Sequence, residues 1–204
     1  MAASPNFDDR HYTVDEYFEL ERQSEDKHEY IDGKIYMMPG VMEEHDIIFG
    51  NTYTLLRTQL RKKGCYIRSG DMRVRINDIR YAYPDLTVIC GKPELIKRQG
   101  VDLIVNPTVI IEIISSSTEG YDRGKKFELY KKIESLQEYV LIAQDRAQIE
   151  HYVRQADGKW LYDSASGLDA QLTLTSTAAT LTLAEIYADV SFPDDPDFAP
   201  PPAE

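Results

Sequence analysis

Cysteine is nearly absent. Cys65 and Cys90 are the only two in 204 residues, with neither CxxC spacing nor a histidine beside them, so neither a disulfide framework nor a zinc site is expected and both read as reduced core residues. Long apolar runs are missing as well: no uninterrupted stretch approaches the roughly 18 residues of a membrane span, and Met1–Tyr12 carries no basic region followed by an apolar one. The expectation is a cytoplasmic protein with no membrane partner. An excess of positive charge is the third absence. A net charge of −12 argues against a broad duplex-coating surface, which would gain its affinity from many Lys and Arg neutralising phosphates; a localised site stays open.

What is present is enough apolar sequence for one core. With 42% hydrophobic residues over 204 positions, a single domain spanning residues 13–192 is expected, preceded by a flexible leader (1–12) and followed by a disordered, Pro-rich acidic tail (193–204). Charge is unevenly spread. Arg57, Arg61, Lys62, Lys63, Arg68, Arg73, Arg75 and Arg80 face only Asp71 and Asp78 in their stretch, a locally basic segment whose ordinary explanation is a solvated surface.

Thr13-Val14-Asp15-Glu16 forms a capping box that opens a helix running to about Arg22. Asp32-Gly33 between the β-prone runs His28–Ile31 and Lys34–Met38 predicts a tight hairpin. From Glu43 to about Lys63, Ile48, Thr52, Leu55, Leu56 and Leu60 recur at helical spacing, and Gly64 is a plausible stop. Strands are expected over Cys65–Arg68, Met72–Ile76, Asp85–Cys90, Thr108–Ile114 and Glu138–Ala143, with a helix over Tyr121–Glu134 carrying Phe127, Tyr130 and Ile133 on one stripe. Gln148–Arg154 and Lys159–Tyr162 flank Ala156-Asp157-Gly158 as a late hairpin with Trp160 in its core, and Thr182–Tyr187 predicts a short last helix.

The segment richest in chemical information is Val109-Ile110-Ile111-Glu112-Ile113-Ile114, where one carboxylate interrupts a run typical of a strand covered on both faces. An unpaired ion there costs several kcal/mol, so Glu112 needs a cationic partner or a polar cleft, and a metal ligand is the better explanation. Asp85 repeats the pattern in Tyr83-Pro84-Asp85-Leu86-Thr87-Val88-Ile89, where Pro84 marks a strand start or bulge. Taken with Glu112 on a following strand, it supplies the two hard oxygen ligands that Mg²⁺ or Mn²⁺ requires. Asp122, Lys126 and Tyr130 are spaced four apart and share a helix face, so Lys126 can reach over the sheet; its ordinary alternative is an exposed ion pair with Asp122.

The run from about Tyr12 to Tyr187 resembles the Uma-two family of restriction endonuclease-like bacterial proteins, within the PD-(D/E)xK nuclease superfamily. The resemblance rests on Glu29-Tyr30-Ile31-Asp32-Gly33, His45 at a helix start, Gly70-Asp71-Met72-Arg73-Val74, Tyr83-Pro84-Asp85, Glu112-Ile113-Ile114-Ser115 with Ser117-Thr118, and Tyr121-Asp122-Arg123-Gly124 leading to Lys126 and Tyr130. It implies an α/β (α+β) fold with a restriction endonuclease-like core: a mixed central β-sheet flanked by helices, with an N-terminal helix and hairpin and a late β-hairpin. It also implies that Pro84-Asp85 is the PD element, that Glu112 is the second acid, and that Glu29 is an acid supplied from an early element. Ile114 stands where the superfamily signature has Lys, and Lys126 matches a lysine moved to the following helix. Ser116 departs from the usual Pro of the Ser-Pro-Ser-Thr stretch without removing a ligand.

The implied function is a Mg²⁺-dependent endonuclease, with Mn²⁺ as an alternative ion, in which Asp85, Glu112 and the Ile113 backbone carbonyl hold the metal and Lys126 orients water or balances charge. Nucleic acid, above all DNA, is the expected partner, and a homodimer the expected assembly. The rival is a non-catalytic binding or assembly module that keeps the fold, in which Glu112 and Lys126 are merely a buried ion pair. Among accessory candidates, His45 either aids the site or caps and packs its helix. Arg73 either contacts phosphate or pairs with Asp71 or Glu29.

Overall fold

A computed structural model describes residues 10–192; the Pro-rich acidic tail and most of the expected leader lie outside them. Where the leader meets the described chain it is packed: Tyr12 is buried, its N–H donates to the Gly33 carbonyl and its own carbonyl accepts from the Tyr30 hydroxyl. The capping box forms as the sequence predicts, with Thr13 and Glu16 exchanging hydrogen bonds at the start of α1 (Val14–Gln23). β1 (His28–Ile31) and β2 (Lys34–Met37) follow, joined by Asp32 and Gly33 at φ +51° and +85°, a pair of positive values that the tightest hairpin turn requires and that Asp-Gly tolerates.

α2 (Glu43–Leu60) leads through a short turn into β3 (Cys65–Ser69), β4 (Arg73–Asn77), β5 (Arg80–Ala82) and β6 (Leu86–Cys90). β7 (Leu95–Arg98), β8 (Val101–Ile104) and β9 (Val109–Ile114) come next. A composite helix follows, made of α3 (Glu119–Tyr121), a π-helical turn (Asp122–Lys126) and α4 (Phe127–Tyr130). The chain closes with β10 (Glu138–Ala143), β11 (Gln148–Arg154), β12 (Trp160–Ser166), β13 (Gln171–Leu174), β14 (Ala179–Thr182) and α5 (Leu183–Ile186).

The central sheet has the order β12-β11-β10-β9-β6-β3, with β9 and β10 parallel and the other neighbours antiparallel. Alternation along β9 assigns its two faces. Val109, Ile111 and Ile113 join Ile48, Leu56 and Leu60 of α2 in one core, together with Leu172, Leu181 and Ile186. Ile110 and Ile114 face the other way, into a second core with Phe127, Tyr130, Ile133 and Tyr139. Glu112 shares that second face. The expected N-terminal hairpin belongs to a larger element, a second six-stranded sheet of order β2-β1-β5-β4-β8-β7, which packs Ile31, Val74, Ile76 and Ile104 into the same core.

Three expectations are corrected. Cys65 and Cys90 are not free thiols but a disulfide, because β3 and β6 pair with these two residues directly opposite one another. The helix expected to run to Glu134 ends at Tyr130 and continues as tight turns through Leu136, although Phe127, Tyr130 and Ile133 are all buried as their stripe predicts. Trp160 is only partly buried and packs edge-on to Phe127, under the Arg154 guanidinium. No described helix is long and apolar enough to cross a membrane.

Candidate active site

Pairing of Leu86 with Ile111 in the antiparallel β6–β9 ladder sets Asp85, one step back, across from Glu112, one step forward. Directly opposed residues of an antiparallel pair point to the same face, so both carboxylates stand on the face covered by the composite helix. Asp85 Oδ2 accepts from Ile113 N–H at 2.7 Å, and His45 Nε2 lies 3.3 Å from Oδ1. His45 makes no side-chain cap for α2 and reaches from its first turn to Asp85. The Ile114 carbonyl accepts from Gln144 on the β10 side of the strand. Neighbouring carbonyls alternate, so the Ile113 carbonyl faces the β6 side, toward Asp85.

Lys126 is the only cation at the centre of the described site. Its Nζ is 3.0 Å from Glu112 Oε1, 3.5 Å from Glu29 Oε1 and 3.6 Å from Asp122 Oδ1, and it is only 8% exposed. Lys125, one position earlier, is exposed beside the Tyr36 ring. The π turn opens over Asp122–Lys126, with Phe127 N–H reaching back to Asp122 and Gly124 carbonyls; such turns interrupt α-helices chiefly at functional sites. The Tyr130 hydroxyl donates to Glu112 Oε1 at 2.8 Å, and the Tyr139 hydroxyl to the Asp122 carbonyl at 3.2 Å. Glu29 arrives from β1, where the Tyr83 N–H donates to its Oε1 at 3.3 Å.

The electrostatics follow from burial and an excess of acids. Burial pushes Glu112 well above the usual carboxylate range; Lys126 opposes this, while Asp85, Asp122 and Glu29 add to it. For Lys126, burial favours the neutral amine, but Glu112, Glu29 and Asp122 outweigh it and hold the ammonium charged. The Tyr130 phenol is driven up by burial and by Glu112, so it is a hydrogen-bond donor at any ordinary pH. Three carboxylates surround Lys126, and Asp85 lies close enough to Glu112 to add to its burden, so the cluster is short of positive charge.

Arg73 is placed elsewhere. It is buried in the N-terminal half, donating to the Tyr83 hydroxyl at 2.6 Å and lying 3.8 Å from Glu21, with its guanidinium over the Tyr17, Phe18 and Tyr83 rings. Neither Asp71 nor Glu29 is its partner, and at 4% exposure it is not a surface contact for phosphate. Gly70, which opens one of the motifs that carry the resemblance, lies against Pro84-Asp85: a Cβ there would lie 3.4 Å from the Pro84 carbonyl and 3.7 Å from the Asp85 Cα. The Ser115–Thr118 turn forms despite Ser116, through the Thr118 hydroxyl accepting from Ser115 N–H.

A family model described as "Putative restriction endonuclease" matches residues 14–185, nearly all of the described chain and every residue of the cluster. The chain belongs to the Uma2 family. The uncharacterized Synechocystis protein slr1290 is 33% identical over 193 residues, covering 94% of this chain and all of that protein. A second Synechocystis protein, sll1609, is 34% identical over 161 residues, covering 78% of this chain and 90% of its own. The fold is shared with the crystal structure of "a putative nuclease belonging to DUF820" from Anabaena variabilis, with a TM-score of 0.70 at 21% identity over 86% of this chain and 97% of that one. Membership of Uma2 and this likeness establish the restriction endonuclease-like fold.

Proposed function

We propose that the protein is a divalent-metal-dependent nuclease whose site is built from Asp85, Glu112, Lys126 and Glu29. The observation that carries this reading is the placement of Asp85 across from Glu112 on adjacent strands, with Lys126 Nζ 3.0 Å from Glu112. The family description and the fold support the same class. Among the described residues no three His, Cys, Asp or Glu side chains cluster as a metal site of their own. The donor set that fits is two carboxylates, from Asp85 and Glu112, completed by the Ile113 carbonyl, all hard oxygens of the kind Mg²⁺ or Mn²⁺ takes, in a cluster with more acid than base. A bound ion of this type would supply Lewis-acid polarisation of a phosphodiester and acidification of water.

The chain's own residues perform the rest. Ile113 N–H and His45 fix the Asp85 carboxylate, and Tyr130 fixes Glu112, so neither acid must reorganise when charge develops. Lys126, delivered by the π turn, holds its proton and presents an N–H to the attacking water or to a phosphate oxygen. Glu29 orients Lys126 from the far side. DNA is the proposed substrate, and a homodimer the proposed assembly, an isologous pair being the commonest closed oligomer; a monomer mass in light scattering at every concentration would count against the dimer. One observation favours a second reading: Lys126 already has three carboxylates within 3.6 Å, as a purely structural buried ion cluster would. A binding module of that kind takes up no divalent ion between Asp85 and Glu112. Cleavage of plasmid and single-stranded substrates with and without Mg²⁺, on wild type and Asp85→Ala, decides between the two.

A further inference from the structure

In a chain of net charge −12, residues 56–70 contain five cations and no acid: Arg57, Arg61, Lys62, Lys63 and Arg68. The structure gives this imbalance a direction. Arg57, Arg61 and Lys62 are exposed at the C-terminal end of α2, and among the described residues none of them, nor Arg68, has a carboxylate within ion-pairing distance. Other cations of the basic segment are spoken for: Arg75 pairs with Asp78, Arg80 with Asp32, Lys63 donates to the Thr177 and Ala178 carbonyls, and Arg73 is buried. Within this basic segment the free charges are thus confined to the helix end and the strand that leaves it.

That strand, β3, is the edge of the central sheet and runs from the basic helix end straight to the acids. Its last residue, Ser69, pairs with Leu86, and Gly70 then abuts Asp85. Cys65 and Ile67 point into the core beneath α2, so Tyr66 and Arg68 stand on the opposite face, the one that carries Asp85 and Glu112. Tyr66 is 42% exposed, large for a sheet aromatic, and the Arg68 guanidinium lies 5.6 Å from its ring centroid. At a rise of about 3.3 Å per residue, the path from the helix end to Asp85 is roughly 15 Å, the span of a few nucleotides.

We propose that β3 is the binding track for a single-stranded polynucleotide, with phosphates held by Arg61, Lys62 and Arg68 and a base stacked on Tyr66, leading the chain to Asp85 and Glu112. A stacking aromatic set among unpaired cations in a narrow file suits a single strand, whose bases are free to stack; a duplex needs a wider basic surface, which the acidic remainder of the molecule denies it. The proposal rests on the nuclease reading for where the track leads, but not for the binding itself.

The test is therefore binding without metal. A fluorescent 20-nucleotide single strand of mixed sequence is titrated with the full-length protein in EDTA, at several salt concentrations, beside the duplex of the same sequence. The expected result is tighter binding of the single strand. Arg61→Glu with Lys62→Glu, and separately Arg68→Glu, weaken binding about tenfold or more, and the double variant lowers the slope of log K against log salt by about 1.4, from roughly 0.7 per phosphate contact. Tyr66→Ala weakens binding at least fivefold with an unchanged salt slope, as loss of stacking should, and Tyr66→Trp restores it. Lys97→Glu, on the exposed β7 edge, stays within twofold. Binding that survives the β3 variants, falls equally with Lys97→Glu, or favours the duplex overturns the track. If binding behaves as expected but no metal-dependent cleavage is found, the track stands and the nuclease reading falls; cleavage with β3 variants binding normally gives the reverse.

Discussion

Lys126 Nζ and Glu112 Oε1 are 3.0 Å apart, joined across the gap between a π-helical turn and the middle of the central sheet. Ile114, two residues beyond Glu112 on β9, carries no charge, and the ammonium that meets this carboxylate comes from the next helix.

Removing that ammonium without disturbing the helix tests its role. Lys126→Ala is expected to reduce metal-dependent cleavage by at least a hundredfold, whereas Lys125→Ala, on the exposed side, stays within about twofold. Stability should also separate them. Leaving Glu112, Glu29 and Asp122 without their cation costs about 3 kcal/mol in urea unfolding, while the exposed Lys125 costs under about 0.5 kcal/mol. Equal effects in the two variants would show that Lys126 has no special function.

Tyr130→Phe deletes one hydroxyl, the donor that holds Glu112 Oε1 at 2.8 Å. Leaving a buried acceptor without its donor costs about 1–3 kcal/mol, so the variant should unfold at visibly lower urea and cleave about tenfold more slowly. An unchanged midpoint would mean that Glu112 is positioned by Lys126 alone.

Spacing made the Lys126 face legible: Asp122, Lys126 and Tyr130 at intervals of four land together whether the segment is α or slightly unwound. The unwinding itself left no trace in the sequence, because a π turn is decided by what the two flanking turns pack against. The lone acids Asp85 and Glu112 were legible as interruptions of apolar runs, and their strand pairing follows from register. Arg73 was not: nothing local says that Tyr17, Phe18 and Tyr83 enclose it. The β7–β8 hairpin was missed because its turn is Gln99-Gly100, with φ +48° and +85°, and Gln is a weaker turn signal than Asn or Asp. The disulfide was missed because 25 residues separate its cysteines and only strand register brings them together.

Glu138 offers a pH test remote from the site. It is fully buried, 2.5 Å from His151 Nε2, and accepts from the Thr175 and Ser176 N–H groups at 2.9 and 2.6 Å. Burial opposes its ionisation, but His151 and Ser176 prevail and lower its pKa below the ordinary 4.5. A depressed carboxylate contributes stability that is present above its unfolded pKa and is lost as pH falls through the folded one. Wild type should therefore lose stability progressively below about pH 4.5, and Glu138→Gln should be less stable at pH 7 with a flatter acid limb. Parallel pH profiles of the two proteins would contradict the assignment.

The Cys65–Cys90 bond closes a loop with a sequence separation of 25, for which chain entropy suggests about 3 kcal/mol of stabilisation. Urea unfolding with and without dithiothreitol should show a shift of that order, and thiol titration of the denatured protein should find no free cysteine. Two titratable thiols in the untreated protein would restore the reduced pair expected from composition.

Mn²⁺ titration of wild type, Asp85→Ala and Glu112→Ala, followed by electron paramagnetic resonance and paired with plasmid cleavage on the same samples, asks whether the two acids hold the ion on which cutting depends. Saturable Mn²⁺ uptake by wild type, at least tenfold weaker uptake by each variant, and nicking only where the ion is bound are expected. Folded wild-type protein that takes up no Mn²⁺, or variants that bind and cut as wild type does, would contradict the metal-dependent reading.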